Sequence, residues 1–256
     1  MMTRKNIRHH FTIRLMIHVA AICTFSFIAS TPISASALDI LIGAGPEGTF
    51  SHFTGRTICR IISRHADDIA CRTVPADDAI DNLTNLQSGS LDISLVDSLM
   101  LTDAVNKTGY FKFLDIRYDN LRELLPLYDR PVTLVVRDDA HITILENLKG
   151  KRINAGAARS EERFATDAIL TAKNWTKDDF SLFGELSASQ SQDTMAFCYG
   201  EIQAMFHIGV HPDVSVQQLL ELCNASPVDM GDNDIVKLVD SQPAFSEIDI
   251  PAGVYP

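Results

Sequence analysis

The chain has 256 residues, 46% of them hydrophobic, and a formal net charge of −11 from 33 acidic and 22 basic side chains. This length and apolar content suffice for one large domain or two small lobes with a buried core. The acidic excess argues against nucleic acid or an anionic membrane surface as a partner, since both recruit clustered Lys and Arg.

Residues 1–37 have the pattern of a secretory signal peptide. Four basic residues precede an apolar run at 15–29, and Ala35-Ser36-Ala37 supplies the small residues that a signal peptidase needs. A retained membrane anchor is the alternative, but a span needs about 20 apolar residues, and this run is shorter and contains His18. We therefore predict an exported, periplasmic protein that is cleaved after Ala37 and is not inserted in the membrane afterwards. Cleavage would leave 18 of the 22 basic residues and all 33 acids, a formal charge of −15.

Four cysteines follow the predicted cleavage site: Cys59, Cys71, Cys198 and Cys223. No pair has the C-x-x-C spacing of a redox or zinc site, and export permits disulfides. Of the three possible pairings, we expect Cys59–Cys71, which would tie the first helix to the second strand, and Cys198–Cys223, which would tie two later helices. Free buried thiols are the alternative.

After residue 37 the sequence alternates strand-like and helical segments. An apolar strand at 38–42 leads into Gly43-Ala-Gly45-Pro-Glu-Gly48-Thr49-Phe50, which opens a helix that ends near His65. A glycine-bearing turn of this kind presents the backbone N–H groups of a helix N-terminus to an anion or a polar group. Further predicted elements are strands at 69–74 and 91–96 and helices at 76–88 and 97–106. Short apolar strands without strict alternation favour a parallel sheet covered on both faces.

Residues 107–137 differ in character. Extended runs at 121–128 and 132–136 flank Asp129-Arg130-Pro131 with no helix between them, as expected where a chain crosses from one lobe to another. A second alternation follows, with predicted helices at 142–148, 160–175, 189–199 and 214–222 and strands at 151–155, 180–183, 202–208 and 226–230. We predict an α/β protein with lobe 1 at 38–130, lobe 2 at 131–240 and a segment returning toward lobe 1 at 241–256.

Three motifs suggest other chemistry without supporting it. Gly43-x-Gly45-x-x-Gly48 matches the dinucleotide fingerprint, but Pro46 removes an N–H that a pyrophosphate would use, and the acids lie beyond the usual distance of about twenty residues. His207-x-x-x-His211 has helical zinc-ligand spacing, but Gly209 and Pro212 argue against a helix, so a packed or ligand-contacting histidine is favoured. No nucleophile-elbow or paired-carboxylate pattern occurs. The sequence thus predicts no cofactor, no metal and no catalytic residue.

Arg159 follows Gly156 just before a second-lobe helix, and Arg163 lies one turn further on. A guanidinium beside a helix N-terminus can hold a carboxylate through a bidentate fork and backbone donors. Alternatively, Glu161 and Glu162 pair with these arginines on a solvated surface. The sequence leaves both interpretations open.

Five segments in series carry a family resemblance: Gly43 to Phe50, LQSGSLDISLVDS at 86–98, LYDRPVTLVVR at 127–137, LKGKRINAG at 148–156 and IPAGVYP at 250–256. Together they resemble the TAXI solute receptors of tripartite TRAP transporters. The resemblance covers nearly all of the chain after residue 37. It implies a two-lobed type 2 periplasmic-binding-protein fold, with parallel-rich sheets flanked by helices and a ligand cleft between the lobes. It also implies a small solute, such as glutamate, 2-oxoglutarate or a related acid, delivered to a TRAP membrane permease.

Carried onto this sequence, the resemblance implies solute contacts in four places. These are Gly45, Gly48, Thr49 and Phe50 in the first loop, Asp97 and Ser98 after the third strand, Gly156, Arg159 and Ser160 in the second lobe, and His207 and Gly209 at a strand end. Both loops depart from the family's pattern. The first contains Pro46 and Glu47, and the second has charged residues where Gly-Ala-Pro-Gly-Ser-Gly-Thr is usual.

Family chains continue past the Ile-Pro-Ala-Gly-x-Tyr-Pro motif to rebuild the first lobe. We therefore expect this chain to be C-terminally shortened, with apolar surface of 40–62 and 93–105 left less covered. The leading hypothesis is a solute receptor that is not an enzyme. The alternatives are an enzyme on the same fold and a truncated remnant that binds nothing.

Overall fold

In the computed structural model, the described residues are 38–186 and 191–255, and their strands form two sheets. The predicted signal peptide lies outside the described residues. The first sheet has three strands: β1 (Leu38–Ala44), β2 (Ile69–Pro75) and β3 (Ile93–Ser94). β1 is central, and both neighbours run parallel to it. Parallel neighbours require crossover connections, which are supplied by α1 (Phe50–His65) and α2 (Ala79–Gln87); α3 (Ser98–Asn106) follows β3.

The second sheet has five strands and mixed direction. They are β4 (Val132–Arg137), β5 (Arg152–Asn154), β6 (Leu182–Gly184), β7 (Ala204–Ile208) and β8 (Ala225–Val228), in the order β6-β5-β7-β4-β8. β5 is parallel to β6 and β7, whereas β4 is antiparallel to β7 and β8. The helices of this half are α4 (Glu161–Lys173), α5 (Ser191–Cys198), α6 (Val214–Leu222) and α7 (Asn233–Ser241). The predicted lobe boundaries at 130 and 240 stay predictions.

Alternate residues of β4 show that the second sheet is covered on both faces. Leu134 and Val136 pack in one buried cluster with Ile169 of α4, while Val135 packs in another with Val216 of α6. Side chains of a strand point alternately to opposite faces, so each face of this sheet has its own apolar layer. A third cluster around Leu83 and Phe111 lies beside the first sheet.

Most predicted elements are present, and their ends differ for identifiable reasons. The helix expected from residue 76 begins at Ala79, because the carboxylate of Asp78 accepts the N–H of Asp81 at 2.9 Å and caps the helix there. The strand expected at 91–96 is reduced to Ile93–Ser94. Next to it, the carboxylate of Asp92 accepts the N–H of Leu41 at 2.8 Å. This side-chain hydrogen bond takes a backbone donor of β1 that a longer strand would pair with a backbone carbonyl.

α7 is absent from the elements predicted from the sequence. Asp232 caps it by accepting the N–H groups of Asp234 and Ile235, and Leu238 is buried against the second sheet's core. An Asp before apolar residues at helical spacing was the available signal. None of the helices described between 38–186 and 191–255 is long and apolar enough to cross a membrane.

Both expected disulfides are present. Cys59 of α1 is bonded to Cys71 of β2, and Cys198 at the end of α5 is bonded to Cys223 after α6. Each bridge therefore joins two elements that lie next to each other in the fold. The alternative of free buried thiols is wrong for this structure.

Removal of the first disulfide by Cys59→Ser/Cys71→Ser is expected to lower the free energy of unfolding by about 2 kcal/mol. Its cysteines are separated by 12 residues, for which loop closure predicts about 3 kcal/mol, and measured effects often fall short of that value. Denaturant titration of the oxidised protein and the double variant measures the difference. Peptide mapping without reductant that recovers four alkylated thiols would contradict the pairing.

Candidate functional site

The first loop is organised as a helix cap. Thr49 Oγ1 accepts the N–H of His52 at 3.2 Å and donates to the carbonyl of Pro46 at 2.7 Å. Gly48 has φ 88°, a left-handed conformation that favours glycine. The N–H of Gly45 donates to Ser51 Oγ at 3.2 Å. The loop therefore presents the start of α1 in a fixed conformation, with one of its predicted donors already used inside the loop.

A cavity of about 1520 Å³, here called the central cleft, opens beside the end of the first sheet. Most of its lining residues come from 92–98, the linker 120–133, parts of 225–240 and the C-terminal segment 244–255, with Glu161 at the start of α4. Of the eleven predicted contacts, Asp97 and Ser98 line this cleft. The other nine lie outside its lining: Gly45, Gly48, Thr49, Phe50, Gly156, Arg159, Ser160, His207 and Gly209.

One ion pair stands in the wall of the central cleft. Arg130, in the linker, pairs with Glu161, and their side chains are 24% and 29% exposed. Burial opposes the charge of Arg130, but Glu161, and more weakly Asp97, raise the pKa of the guanidinium. Burial raises the pKa of Glu161, and the negative charge of Asp97 raises it further. Arg130 lowers this pKa, but by less than burial raises it. The site thus holds one guanidinium beside two carboxylates.

Arg130 and Glu161 are absent from the solute contacts predicted from the sequence. Asp97 caps α3 by accepting the N–H of Leu99 at 2.8 Å, and Ser98 Oγ donates to the carbonyl of Ala244 at 3.2 Å. These two contacts bring the predicted third-strand residues to the cleft wall. The available signal for Arg130 was its place in the polar break between the two extended linker runs.

Aromatic rings connect the first loop to the linker. Phe50 packs edge-to-face on Tyr128, with 4.9 Å between ring centroids, and lies 6.3 Å from Phe53. Such pairs contribute about 0.5–1.5 kcal/mol beyond the area they bury. Since Tyr128 lines the cleft, Phe50 stands directly behind its wall.

Arg159 is held by two carboxylates. Its Nη2 lies 2.8 Å from Asp78 Oδ2 and 3.1 Å from Asp81 Oδ1, so it joins the second-half loop to the start of α2. Arg163 pairs with Asp167 and with Glu185. Both arginines are therefore paired with acids, as the second interpretation of the sequence expected. Their partners, however, are not the expected Glu161 and Glu162. A carboxylate clamp at Arg159 would require its guanidinium to leave both acids.

The remaining second-half candidates shape the start of α4. Ser160 Oγ accepts the N–H of Arg163 at 3.2 Å and caps the helix. Gly156 has φ 88°, and a Cβ there would lie 2.8 Å from the backbone nitrogen of Arg163. The loop therefore requires glycine for both its conformation and its close approach to the helix.

His207 belongs to a polar cluster on the second sheet. Its Nε2 lies 3.4 Å from Asp213 Oδ2 without hydrogen-bond geometry, and this buried nitrogen has no other hydrogen-bond partner among the described residues. His211 Nε2 lies 2.9 Å from Thr133 Oγ1, and its Nδ1 contacts the hydroxyl of Tyr255, which accepts the N–H of Asp213 at 2.9 Å. The cluster thereby fastens the C-terminal segment to the second sheet.

Charges within this cluster shift two pKa values. Burial favours the neutral form of Asp213, but His207 and the N–H groups of Val216 and Ser215 outweigh it and lower the pKa to about 2. Burial, together with nearby His207, lowers the pKa of His211. Within the described part of the chain, no group of three His, Cys, Asp or Glu side chains could hold a metal ion.

Residues 42–256 match the NMT1-like family. The chain belongs to that family. Similar solved structures include the periplasmic aliphatic sulphonate binding protein SsuA of Escherichia coli, with a TM-score of 0.53, 14% identity, and coverage of 75% of this chain and 56% of SsuA. PhnD1 of Prochlorococcus marinus MIT 9301, solved with methylphosphonate, has a TM-score of 0.53, 15% identity, and coverage of 75% and 71%.

A protein of Bordetella bronchiseptica RB50 has a TM-score of 0.50, 16% identity, and coverage of 76% of this chain and 57% of that protein. At these identities the likeness shows the fold alone. The predicted two-lobed periplasmic-binding-protein fold is confirmed. This NMT1-like chain spans 56% of the length of SsuA and 57% of that of the Bordetella protein.

Proposed function

We propose that this protein is an extracytoplasmic solute-binding receptor. The observation that carries the proposal is the central cleft of about 1520 Å³, lined by elements from both halves of a periplasmic-binding-protein fold. Concave sites with mostly apolar walls and a few convergent polar groups are the usual form of small-molecule sites. Membership of the NMT1-like family, and solved structures described as a sulphonate-binding protein and a methylphosphonate complex, support the same function.

The groups that would contact a solute are those that line the cleft. Asp97, Ser98, Tyr128 and the Arg130–Glu161 pair supply charge, a hydroxyl and an aromatic ring in one wall. The TAXI resemblance implies a small carboxylate, which a guanidinium can bind through two parallel hydrogen bonds. Arg130 could bind it in this way only if its guanidinium left Glu161. The nine predicted contacts outside the lining stay predictions, which would require closure of the two halves on the solute.

The partner in this proposal is a TRAP membrane permease, and the compartment is the periplasm. Both come from the resemblance to TAXI receptors and from the signal-like residues 1–37. An enzyme on the same fold would need a nucleophile oriented by a base. The receptor is the function that the cleft supports best.

Solute binding is expected to raise the melting temperature of the purified protein. A ligand at a hundredfold its dissociation constant adds about 2.7 kcal/mol to the free energy of unfolding, which is readily measured by thermal denaturation. The panel is glutamate, 2-oxoglutarate, an alkanesulphonate, methylphosphonate, glucose and an aliphatic diamine. At least one member should stabilise the protein, with micromolar affinity by calorimetry.

A steric variant provides the control for this experiment. Ser98→Trp places a large side chain in the cleft wall and should abolish binding, whereas Ser90→Trp, at an exposed position outside the lining, should leave binding unchanged. If no panel member stabilises the protein, or if both variants lose binding equally, the proposal is contradicted.

A further inference from the structure

The walls of the central cleft carry a large excess of negative charge. Ten of the lining residues are Asp or Glu, and two are Arg. Arg130 pairs with Glu161, and Arg122 Nη1 donates to the backbone carbonyls of Asp119 and Leu121 at 2.9 and 2.6 Å. Both guanidinium groups therefore already have acceptors, and the lining as a whole has an excess of eight acids over bases.

Most of these acids have no cationic partner. Among the residues that the structure describes, Glu161 is the one lining acid that forms an ion pair. Acids elsewhere do find partners, as Asp78 and Asp81 do with Arg159 and Glu185 does with Arg163. Clefts lined by one sign of charge focus the field and concentrate the opposite charge. The cleft is thus electrostatically complementary to a cation.

Apolar side chains alternate with the acids in the same walls. Leu124 and Leu125 of the linker are 69% and 62% exposed, and Ile248 of the C-terminal segment is 46% exposed. Within the cleft these side chains offer apolar surface that the aliphatic part of a ligand could cover. The cavity of about 1520 Å³ exceeds the roughly 300–1,000 Å³ of ordinary ligand pockets, which leaves room for an occupant long enough to contact several of its walls.

From these observations we infer that the central cleft binds an elongated organic cation, an aliphatic chain that bears ammonium or guanidinium groups. This inference rests on the proposed receptor function and replaces the carboxylate as its solute class. The aliphatic part would pack on Leu124, Leu125 and Ile248, and the charged ends would face the unpaired carboxylates. The Arg130–Glu161 pair would remain closed.

Three probes of equal length test the inference: diaminooctane, suberate and octanediol, which carry two ammonium groups, two carboxylates or two hydroxyls on the same eight-carbon chain. Calorimetry on the full chain should show diaminooctane binding at least tenfold more tightly than the other two. Its affinity should fall as salt is raised, because exposed charges are screened beyond about 10 Å at 0.1 M ionic strength. If suberate binds as tightly or more tightly, the cation inference is overturned while the receptor function stands.

A charge-matched pair of variants locates the effect. Asp240→Asn/Glu247→Gln/Asp249→Asn removes three lining acids and should weaken diaminooctane about tenfold, with octanediol unchanged. The control Asp67→Asn/Asp68→Asn/Glu201→Gln removes three exposed acids outside the lining and should leave the affinity unchanged. Equal losses in both would overturn the inference, since the effect would then come from net charge. If a member of the solute panel binds and none of the three probes does, the cation inference alone fails; if nothing binds, both proposals fail.

Discussion

Replacement of Lys173 by alanine is expected to lower the free energy of unfolding by about 4 kcal/mol. Lys173 ends α4, and its side chain is 6% exposed. Its Nζ contacts a carboxylate oxygen of Glu146 and lies 2.7 Å from Asp232 and 3.3 Å from Asp234. Removal of one partner from a buried ion pair costs roughly 3–5 kcal/mol, because the other charges are left uncompensated.

The control for this prediction is Lys237→Ala. Lys237 pairs with the same Asp234 at 3.2 Å, but its side chain is 75% exposed. Exposed pairs contribute at most about 1 kcal/mol. Denaturant titration of both variants measures the contrast, and equal losses would show that burial of Lys173 carries no special stability.

The pH dependence of the Lys173 effect has a definite sign. Burial opposes its charge, but Asp232, Glu146 and Asp234 outweigh burial and raise the pKa of the ammonium group. A raised pKa of a basic group contributes stability that is fully present below the unfolded pKa, about 10.4 for lysine, and is lost as pH rises through the folded value. The difference between the wild type and Lys173→Ala should therefore be constant near neutral pH and shrink in alkali.

The parts of the fold that the sequence predicted are those determined by local signals. α6 was predicted with the observed ends, since Asp213 caps it and its apolar residues have helical spacing. The Cys59–Cys71 bridge was likewise expected, because it joins two neighbouring elements. α7 has a local capping signal in Asp232, but the contact of Lys173 with that residue joins positions 59 apart and follows only from the tertiary structure.

The candidate site was less accessible to sequence reasoning than the fold. The resemblance identified loops, and the structure shows which side chains those loops bring to the cleft. Arg130 and Glu161 are 31 residues apart, and Arg159 and Asp81 are 78 apart. No sequence periodicity links positions so far apart. The ion-pair partner of each arginine, and hence which guanidinium lies in the cleft wall, follows only from the tertiary structure.

Replacement of Arg130 by methionine is expected to cost about 3 kcal/mol of stability and to reduce affinity for any solute that uses this wall. The partner Glu161 would be left in the cleft wall with its charge uncompensated. This cost lies at the lower end of the range for removing one partner of a buried ion pair, because both side chains are about a quarter exposed to solvent. Arg117→Met is the matched control, since Arg117 pairs with Asp119 on the open surface and should cost well under 1 kcal/mol.

The dependence on pH distinguishes loss of the ion pair from loss of packing. Burial already raises the pKa of Glu161, and Arg130 is the main influence that lowers it, so Arg130→Met should raise this pKa further. A carboxyl group with a raised folded pKa contributes stability that is fully present below its unfolded pKa, about 4.3 for glutamate, and is lost as pH rises through the folded pKa. The stability deficit of Arg130→Met should therefore be small near pH 4 and larger at pH 7.

Adding Glu161→Gln to the variant should recover most of the lost stability at pH 7 and remove its pH dependence. A deficit that is the same at both pH values and in both backgrounds would mean that Arg130 acts through the packing of its aliphatic chain, and the charged pair would then have no part in holding the cleft wall.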